Sequence, residues 1–235
     1  MHDGLISEKR LDVSVGKLLK EKFLLGLFEN PYVSIDKAAQ MADNAEFRAL
    51  GRSVQGRSFT MLTNKNDMLP LMPEHLRQGV YVENIDPELL EARGLKAVAT
   101  PEEASVALLR LQTPYREGVT QFEKLFHADP PEYPCEEKGR QAKIYAAVPA
   151  IVDIKLERPA AIPEIASKAA ALLGSYGSTS EAFLNVVLGN ASPEGALPFD
   201  LPRSDAAVKA SREDVPFDTE DPVFRFGHGL RYTVK

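Results

Sequence analysis

A carboxyl group that is to deliver a proton needs a sheltered place beside a cleft, and Gln112-Thr113-Pro114-Tyr115-Arg116-Glu117-Gly118 offers one. Open α/β sheets set their reactive side chains in loops beyond the carboxyl ends of their strands, and this segment follows the apolar run 106–111. A glutamate beside an aromatic ring and a proline can have a raised pKa, which a general acid working near neutral pH requires. A solvated loop glutamate is the alternative reading. Glu123 and Glu132 lie in the same long loop, and residue type alone does not rank the three.

Other chemistries find less support. Gly174-Ser175-Tyr176-Gly177-Ser178 is the nearest approach to a glycine-rich phosphate loop, but it lacks the lysine and the spacing of a P-loop and of the dinucleotide fingerprint. There is no Gly-x-Ser-x-Gly elbow, and Ser175 and Ser178 read as helix-cap or turn residues. His2, His75, His127 and His228 stand singly, and no Cys/His spacing resembles a metal site. Neither a cofactor nor a metal is expected. Cys135 is the single cysteine and has no intramolecular disulfide partner.

The elements that would position the loop can be read from hydrophobic period. Leu11, Val15, Leu18, Leu19 and Phe23 recur at helical spacing behind Asp12, a residue type that caps helices, and Gly26 is placed to end the run. An ordered connector follows at 26–33, then an Ala-rich helix from about Ser34 to Leu50. Beyond it, apolar runs at 59–62, 80–82, 97–99, 106–111 and 151–156 read as strands. Helix patterns fall at 86–93, 101–104, 136–147, 163–172 and 179–188. Strands separated by helices imply crossover connections, hence an α/β fold whose mostly parallel sheet is flanked by helices, preceded by an N-terminal helical connector. The expected division is residues 1–33 as connector and 34–235 as the sandwich domain. The run from Phe224 to Tyr232 sets two glycines among large apolar residues, as in a tight turn docking onto a partner surface.

Composition bounds the partners. The 235 residues include 44% hydrophobic and 26% charged residues, ordinary for a soluble globular protein. A formal charge of -6, with acidic and basic residues interleaved, leaves no basic stripe to neutralise a phosphate backbone, so nucleic acid is not an expected partner. No apolar run approaches the roughly 20 residues that span a bilayer, so no membrane is expected, and the N-terminus shows no signal-peptide pattern. The compartment is left open.

Several separated segments, in order, resemble family 3 glycoside hydrolases of the β-glucosidase type. Lys22-Phe23-Leu24-Leu25-Gly26-Leu27-Phe28-Glu29-Asn30-Pro31-Tyr32 is similar to the connector joining that family's barrel to its sandwich domain. Ser58-Phe59-Thr60-Met61-Leu62-Thr63-Asn64 and Leu69-Pro70-Leu71 resemble the first sandwich strand and its turn. Pro193-Glu194-Gly195-Ala196-Leu197-Pro198-Phe199, then Leu201-Pro202-Arg203-Ser204, resemble the loop near the end of the sheet. Asp221-Pro222 and Phe226-Gly227-His228-Gly229-Leu230-Arg231-Tyr232 close the chain in the family's style.

The resemblance implies the C-terminal α/β sandwich of a retaining exo-acting β-glycosidase. It also implies that an aspartate in a TIM-type barrel, which would lie upstream of Met1, is the nucleophile. The sandwich then contributes the acid/base glutamate. Some members carry it in a Pro-Tyr-x-Glu loop, to which Pro114-Tyr115-Arg116-Glu117 is similar, so Glu117 is favoured and Glu123 is the runner-up. Two departures stand against this: Leu109-Arg110-Leu111-Gln112-Thr113 lacks a Gly-Glu pair, and Leu62-Thr63-Asn64 replaces the common Leu-Lys-Asn. The implied partners are a β-linked glucoside or oligosaccharide and a barrel domain, in the same chain or another. Self-association follows if Leu27, Phe28, Tyr32, Phe224 and Phe226 are exposed. A non-catalytic carbohydrate-binding or interaction module, or an inactive remnant, would share the fold.

Overall fold

The computed structural model describes residues 5–42, 44–126, 131–212, 214–215 and 217–232. They form two compact units, one up to Ala49 and one from Leu50 onward.

The first unit is helical. Helix α1 spans Glu8–Leu24. Its N-cap is Ser7, whose hydroxyl accepts from the Arg10 amide at 3.2 Å, so the helix starts one turn before Asp12. Gly26 closes it with φ +67°. The Leu27 amide donates to Lys22 O at 3.1 Å and the Gly26 amide to Phe23 O at 3.0 Å, a Schellman arrangement that only a left-handed residue permits cheaply. The Ala-rich stretch is broken in two, α2 (Ile35–Met41) within this unit and α3 (Ala45–Ser58), most of which belongs to the second unit. Asn44 causes the break: its Oδ1 accepts from the Glu46 amide at 2.7 Å and starts a new helix.

The second unit holds a six-stranded sheet in the order β1-β6-β5-β4-β2-β3. The strands are β1 (Thr60–Asn64), β2 (Val80–Glu83), β3 (Ala97–Val98), β4 (Val106–Gln112), β5 (Ala150–Lys155) and β6 (Ala171–Ser175). Among these six strands β1 alone pairs antiparallel, to β6. Helices α4 (Pro87–Glu91), α5 (Cys135–Ala147), α6 (Pro163–Lys168), α7 (Ser180–Val187) and α8 (Asp205–Ala210) complete the unit.

Successive strand residues point to opposite faces, and each face has its own core. Leu109, Val152, Ile154 and Leu172 pack with Ile144 of α5 and Ile165 of α6. Leu108, Ile151 and Leu173 pack with Leu90 of α4 and Phe183 of α7. Each such side chain, when fully buried, contributes about 1.5–3 kcal/mol of transfer free energy. The sequence pattern reads 163–172 as one helix, which takes in the start of β6. The structure ends that helix at Lys168, because Ala171–Ser175 hydrogen-bonds to strands on both sides and the sheet outweighs the helix propensity of Ala169-Ala170-Ala171. Residues 101–103 make a single 3-10 turn.

The C-terminal run docks on its own sheet. The Leu230 amide donates to Met61 O at 2.7 Å, and His228 Nε2 lies 2.8 Å from Leu62 O. Phe224 packs against the core, while Phe226 is exposed and meets the Phe217 ring at 4.1 Å.

If β6 is a central strand, Leu172→Ala will cost about 2–5 kcal/mol of unfolding free energy, read from urea denaturation. Lys168→Ala, at the end of α6, will cost far less. Equal small losses would contradict the strand assignment.

Candidate functional site at the carboxyl end of the sheet

Two crossovers decide where the sheet opens. The chain passes from β2 to β3 through α4 on one face, and from β4 to β5 through α5 on the other. Strands β2 and β4 are neighbours, so the chain leaves their carboxyl ends in opposite directions and a crevice forms between them. A cavity of about 580 Å³ lies there, lined by Asn84 after β2, by Leu111 to Arg116 at the end of β4, and by Glu132, Tyr133, Glu137 and Arg140. The expected position of the functional loop, beyond the end of β4, is therefore the switch point of the fold.

Local bonds hold this rim. Asn84 adopts φ +57° immediately after β2, a conformation that asparagine tolerates, and its Nδ2 donates to Arg110 O at 2.7 Å. Thr113 is buried, with its hydroxyl donating to Lys155 O at 2.6 Å, and Arg158 donates to Pro114 O at 2.6 Å. Tyr133 donates to Gln112 O at 2.5 Å, and burial pushes its hydroxyl pKa up. Arg140 is gripped by Glu83 and Glu137, with Nη2 at 3.0 Å from Glu83 Oε2 and Nε at 2.8 Å from Glu137 Oε2. Hydrogen bonding from Arg140 holds Glu137 below the usual carboxylate range.

The three glutamates separate clearly. Glu117 stands beyond the pinned Thr113 and Pro114, its side chain 74% exposed, with Lys124 Nζ at 3.4 Å. At that exposure it is not the sheltered carboxyl that the sequence suggests. Glu123 faces its own turn: it accepts from the Val119 amide at 3.0 Å and the Thr120 amide at 2.9 Å, while its own amide donates to Thr120 Oγ1. Backbone donors favour the charged carboxylate, so its pKa is lowered, which suits a cap and not a proton donor. Glu132 ties the Asp205 amide at 2.8 Å to Lys138 at 3.1 Å, and these partners lower its pKa as well. His127 falls outside the described residues.

Sequence reading missed a second feature, on the other side of β4. Arg110 and Asp153 are opposite each other in the β4–β5 register, and Arg110 Nε donates to Asp153 Oδ2 at 2.8 Å. The same guanidinium donates to Ser178 O at 2.7 Å and Ser180 Oγ at 3.0 Å, and lies 5.7 Å from the Phe183 ring centroid. Ser175 Oγ donates to Asp153 Oδ2 at 3.0 Å, joining β6 to the group. Asp153 is 1% exposed, and burial pushes its carboxyl pKa up against the opposing pull of Arg110. Its Oδ1 accepts no hydrogen bond among the described residues. A signal existed: one charge interrupts each of two apolar runs, Leu109-Arg110-Leu111 and Val152-Asp153-Ile154. Over this group lies a cavity of about 360 Å³, lined by Asn84, Gln112, Lys155, Gly177 and Ser178 among others.

Among the described residues no group of three or more His, Cys, Asp or Glu could hold a metal ion. No described helix is long and apolar enough to cross a membrane.

Residues 91–232 match the model of the glycosyl hydrolase family 3 C-terminal domain. The chain belongs to this family. The family 3 domain is 54% identical over 232 residues to β-glucosidase C of Emericella nidulans, covering 99% of this chain and 38% of that relative. It is 35% identical over 241 residues to the periplasmic β-glucosidase/β-xylosidase of Dickeya chrysanthemi, covering 98% of this chain and 35% of that relative. The chain thus spans little more than a third of the length of these curated relatives. A β-glucosidase structure from Erythrobacter marinus superposes with TM-score 0.75 at 19% identity, covering 99% of this chain and 41% of that one. The β-glucosidase of Listeria innocua in complex with glucose gives TM-score 0.69 at 19% identity, over 98% and 40% of the two chains. These two likenesses carry the fold.

Two predictions follow from the bonds of the family 3 domain. Asp153→Asn strands the largely buried Arg110 charge and will cost about 3–5 kcal/mol, whereas the double variant Arg110→Met with Asp153→Leu will cost much less; a urea-denaturation cycle reads both. The lowered pKa of Glu132 means that its stabilisation is present above the unfolded-state value and is lost as pH falls through the folded one. The melting-temperature gap between the native chain and Glu132→Gln will therefore be full at neutral pH and will close in acid. A gap that widens in acid would contradict the assignment.

Proposed function

We propose that the chain is the sandwich part of a retaining exo-acting β-glycosidase of the β-glucosidase type, working with a barrel that carries the nucleophile. Glu117 is the acid/base residue in this reading. The observation that carries it is the placing of Glu117: its loop is anchored at the switch point while its carboxylate stands free of the backbone donors that hold Glu123.

The surroundings of Glu117 support a covering partner. Val119, Phe122 and Phe126 line a cavity with it and are exposed, with the Phe122 and Phe126 rings 5.2 Å apart, and exposed apolar patches mark association sites. A general acid near neutral pH needs a desolvated carboxyl, and the barrel would provide the cover. In the first unit, Leu18, Phe23, Leu27, Phe28 and Tyr32 are exposed too.

The chemistry then divides between two carboxyl groups about 5–5.5 Å apart. The barrel's aspartate attacks the anomeric carbon as the glycosidic C–O bond breaks, and Glu117 gives its proton to the departing oxygen. Glu117, now a carboxylate, takes a proton from water. That water attacks the anomeric carbon and releases the aspartate, so Glu117 ends as the acid again.

Combining the chain with a barrel domain of a related enzyme, fused or mixed, should restore turnover of an aryl β-glucoside. Glu117→Gln should lower kcat by about 10²–10⁴-fold, with Glu117→Gly rescued by azide, while Glu123→Gln stays within a few-fold. Full activity in Glu117→Gln would sink the assignment. No turnover in a verified, folded complex would favour the non-catalytic carbohydrate-binding module.

A further inference from the structure

Arg116 is common to two cavities. It lines the space of about 580 Å³ at the switch point and, with Glu117, a second space of about 380 Å³. Among the described residues its guanidinium has no hydrogen-bond or ion-pair partner. The charges around it are engaged. Arg140 is held by Glu83 and Glu137, and Glu132 bonds to Lys138 and to the Asp205 amide. On the side of the smaller space, Glu117 faces Lys124, and Glu123 is taken by the Val119 and Thr120 amides. One positive charge is left over where the two spaces meet.

The rest of the larger cavity suits a flat apolar body. Leu111, Pro114, Tyr133 and Pro134 line it. Polar groups between them are already used: the Tyr133 hydroxyl donates to Gln112 O, the Thr113 hydroxyl to Lys155 O and the Asn84 amide to Arg110 O. The volume lies within the range of roughly 300–1,000 Å³ found for small-molecule pockets. Arginine presents its donors in a planar fork that matches the two oxygens of a carboxylate. A neutral ligand leaves that fork unanswered, a cation is repelled by it, and a dianion brings a second charge to a wall whose other cation is already bound. One carboxylate on an aromatic ring meets both demands.

We propose that the larger cavity is a binding site for an aromatic monocarboxylate, with the carboxylate on Arg116 and the ring against Leu111, Pro114, Tyr133 and Pro134. The site itself rests on the cavity. A role for it rests on the glycosidase reading above: a proton donor stands on the side of the departing group, and Arg116 adjoins Glu117, so the acid is a phenolic acid that leaves as the aglycone.

Calorimetric titration of the 235-residue chain with 4-hydroxybenzoate, 4-hydroxybenzyl alcohol and 4-hydroxybenzylamine tests the site. The carboxylate should bind about tenfold more tightly than the alcohol, as one charged hydrogen-bonded contact provides, and the amine should bind most weakly. Arg116→Gln should erase the difference between acid and alcohol, and Arg116→Lys should keep part of it. Lys96→Gln, which removes a cation just before β3 at the amino end of the sheet, should leave it whole. Unchanged thermal melting shows that each variant is folded. Equal affinity for acid and alcohol, no saturable binding of the acid, or an equal effect of Lys96→Gln and Arg116→Gln would each overturn the proposal. The chain is titrated without any barrel, so the site and the acid/base reading fail separately. In the assembled enzyme the β-glucoside of 4-hydroxybenzoate should show a higher kcat/KM than that of 4-hydroxybenzyl alcohol by the same factor, and Arg116→Gln should remove the preference. Binding of the acid without that preference would reject only its role as leaving group, and full activity in Glu117→Gln would reject only the acid/base reading.

Discussion

The pairing of Arg110 with Asp153 across β4 and β5 is the interaction on which the functional end of this molecule depends. Two charges set into apolar strands are tolerable only because each neutralises the other. Asp153 also receives Ser175 from β6, and Arg110 reaches the start of α7 through Ser178 and Ser180. Three parallel strands and one helix are thereby locked at a common level. Next to this lock the chain leaves β2 and β4 in opposite directions, and Leu111 to Arg116 line the crevice that results, with Glu117 the next residue beyond them. The sheet decides where the loop emerges, while Thr113 and Pro114 decide how it starts.

The contrast between Glu117 and Glu123 shows how surroundings assign roles to identical side chains. Backbone amides that converge on Glu123 lower its pKa and make it a structural anion. Glu132 is in the same position, holding α8 to α5 through Asp205 and Lys138. Glu117 has no such backbone cradle among the described residues, and it projects from the surface amid exposed aromatic and aliphatic side chains. The acid/base role proposed for Glu117 calls for such an arrangement: a carboxyl open on its own side, to be covered by a barrel from the other.

Much of the fold was legible in the sequence, because alternation of strands and helices follows from hydrophobic period and crossover geometry. Strands β1 to β5 and the switch-point loop were found that way. Strand β6 was not, because Ala169-Ala170-Ala171 carries helix propensity and only its neighbours in the sheet overrule it. The split between α2 and α3 turned on one capping residue, Asn44. At the site, the loop and its glutamates were visible as residue types, but their ranking required hydrogen-bond partners. The pairing of Arg110 with Asp153 is not legible in the sequence because it is a matter of register between strands, which spacing along one chain does not report. Asn84 and the stretch from Tyr133 to Arg140 come from two separate segments and meet only in the folded crevice.

In the proposed enzyme the loop at the switch point sets the Glu117 carboxyl opposite a nucleophile carried by a barrel. A structure of the chain joined to an active barrel measures this directly, through the separation of the two carboxyl groups. The expected separation between Glu117 and the barrel aspartate is about 5–5.5 Å, the distance of a retaining pair. A Glu117 carboxyl remote from that aspartate, with another acid at this distance in its place, would contradict it.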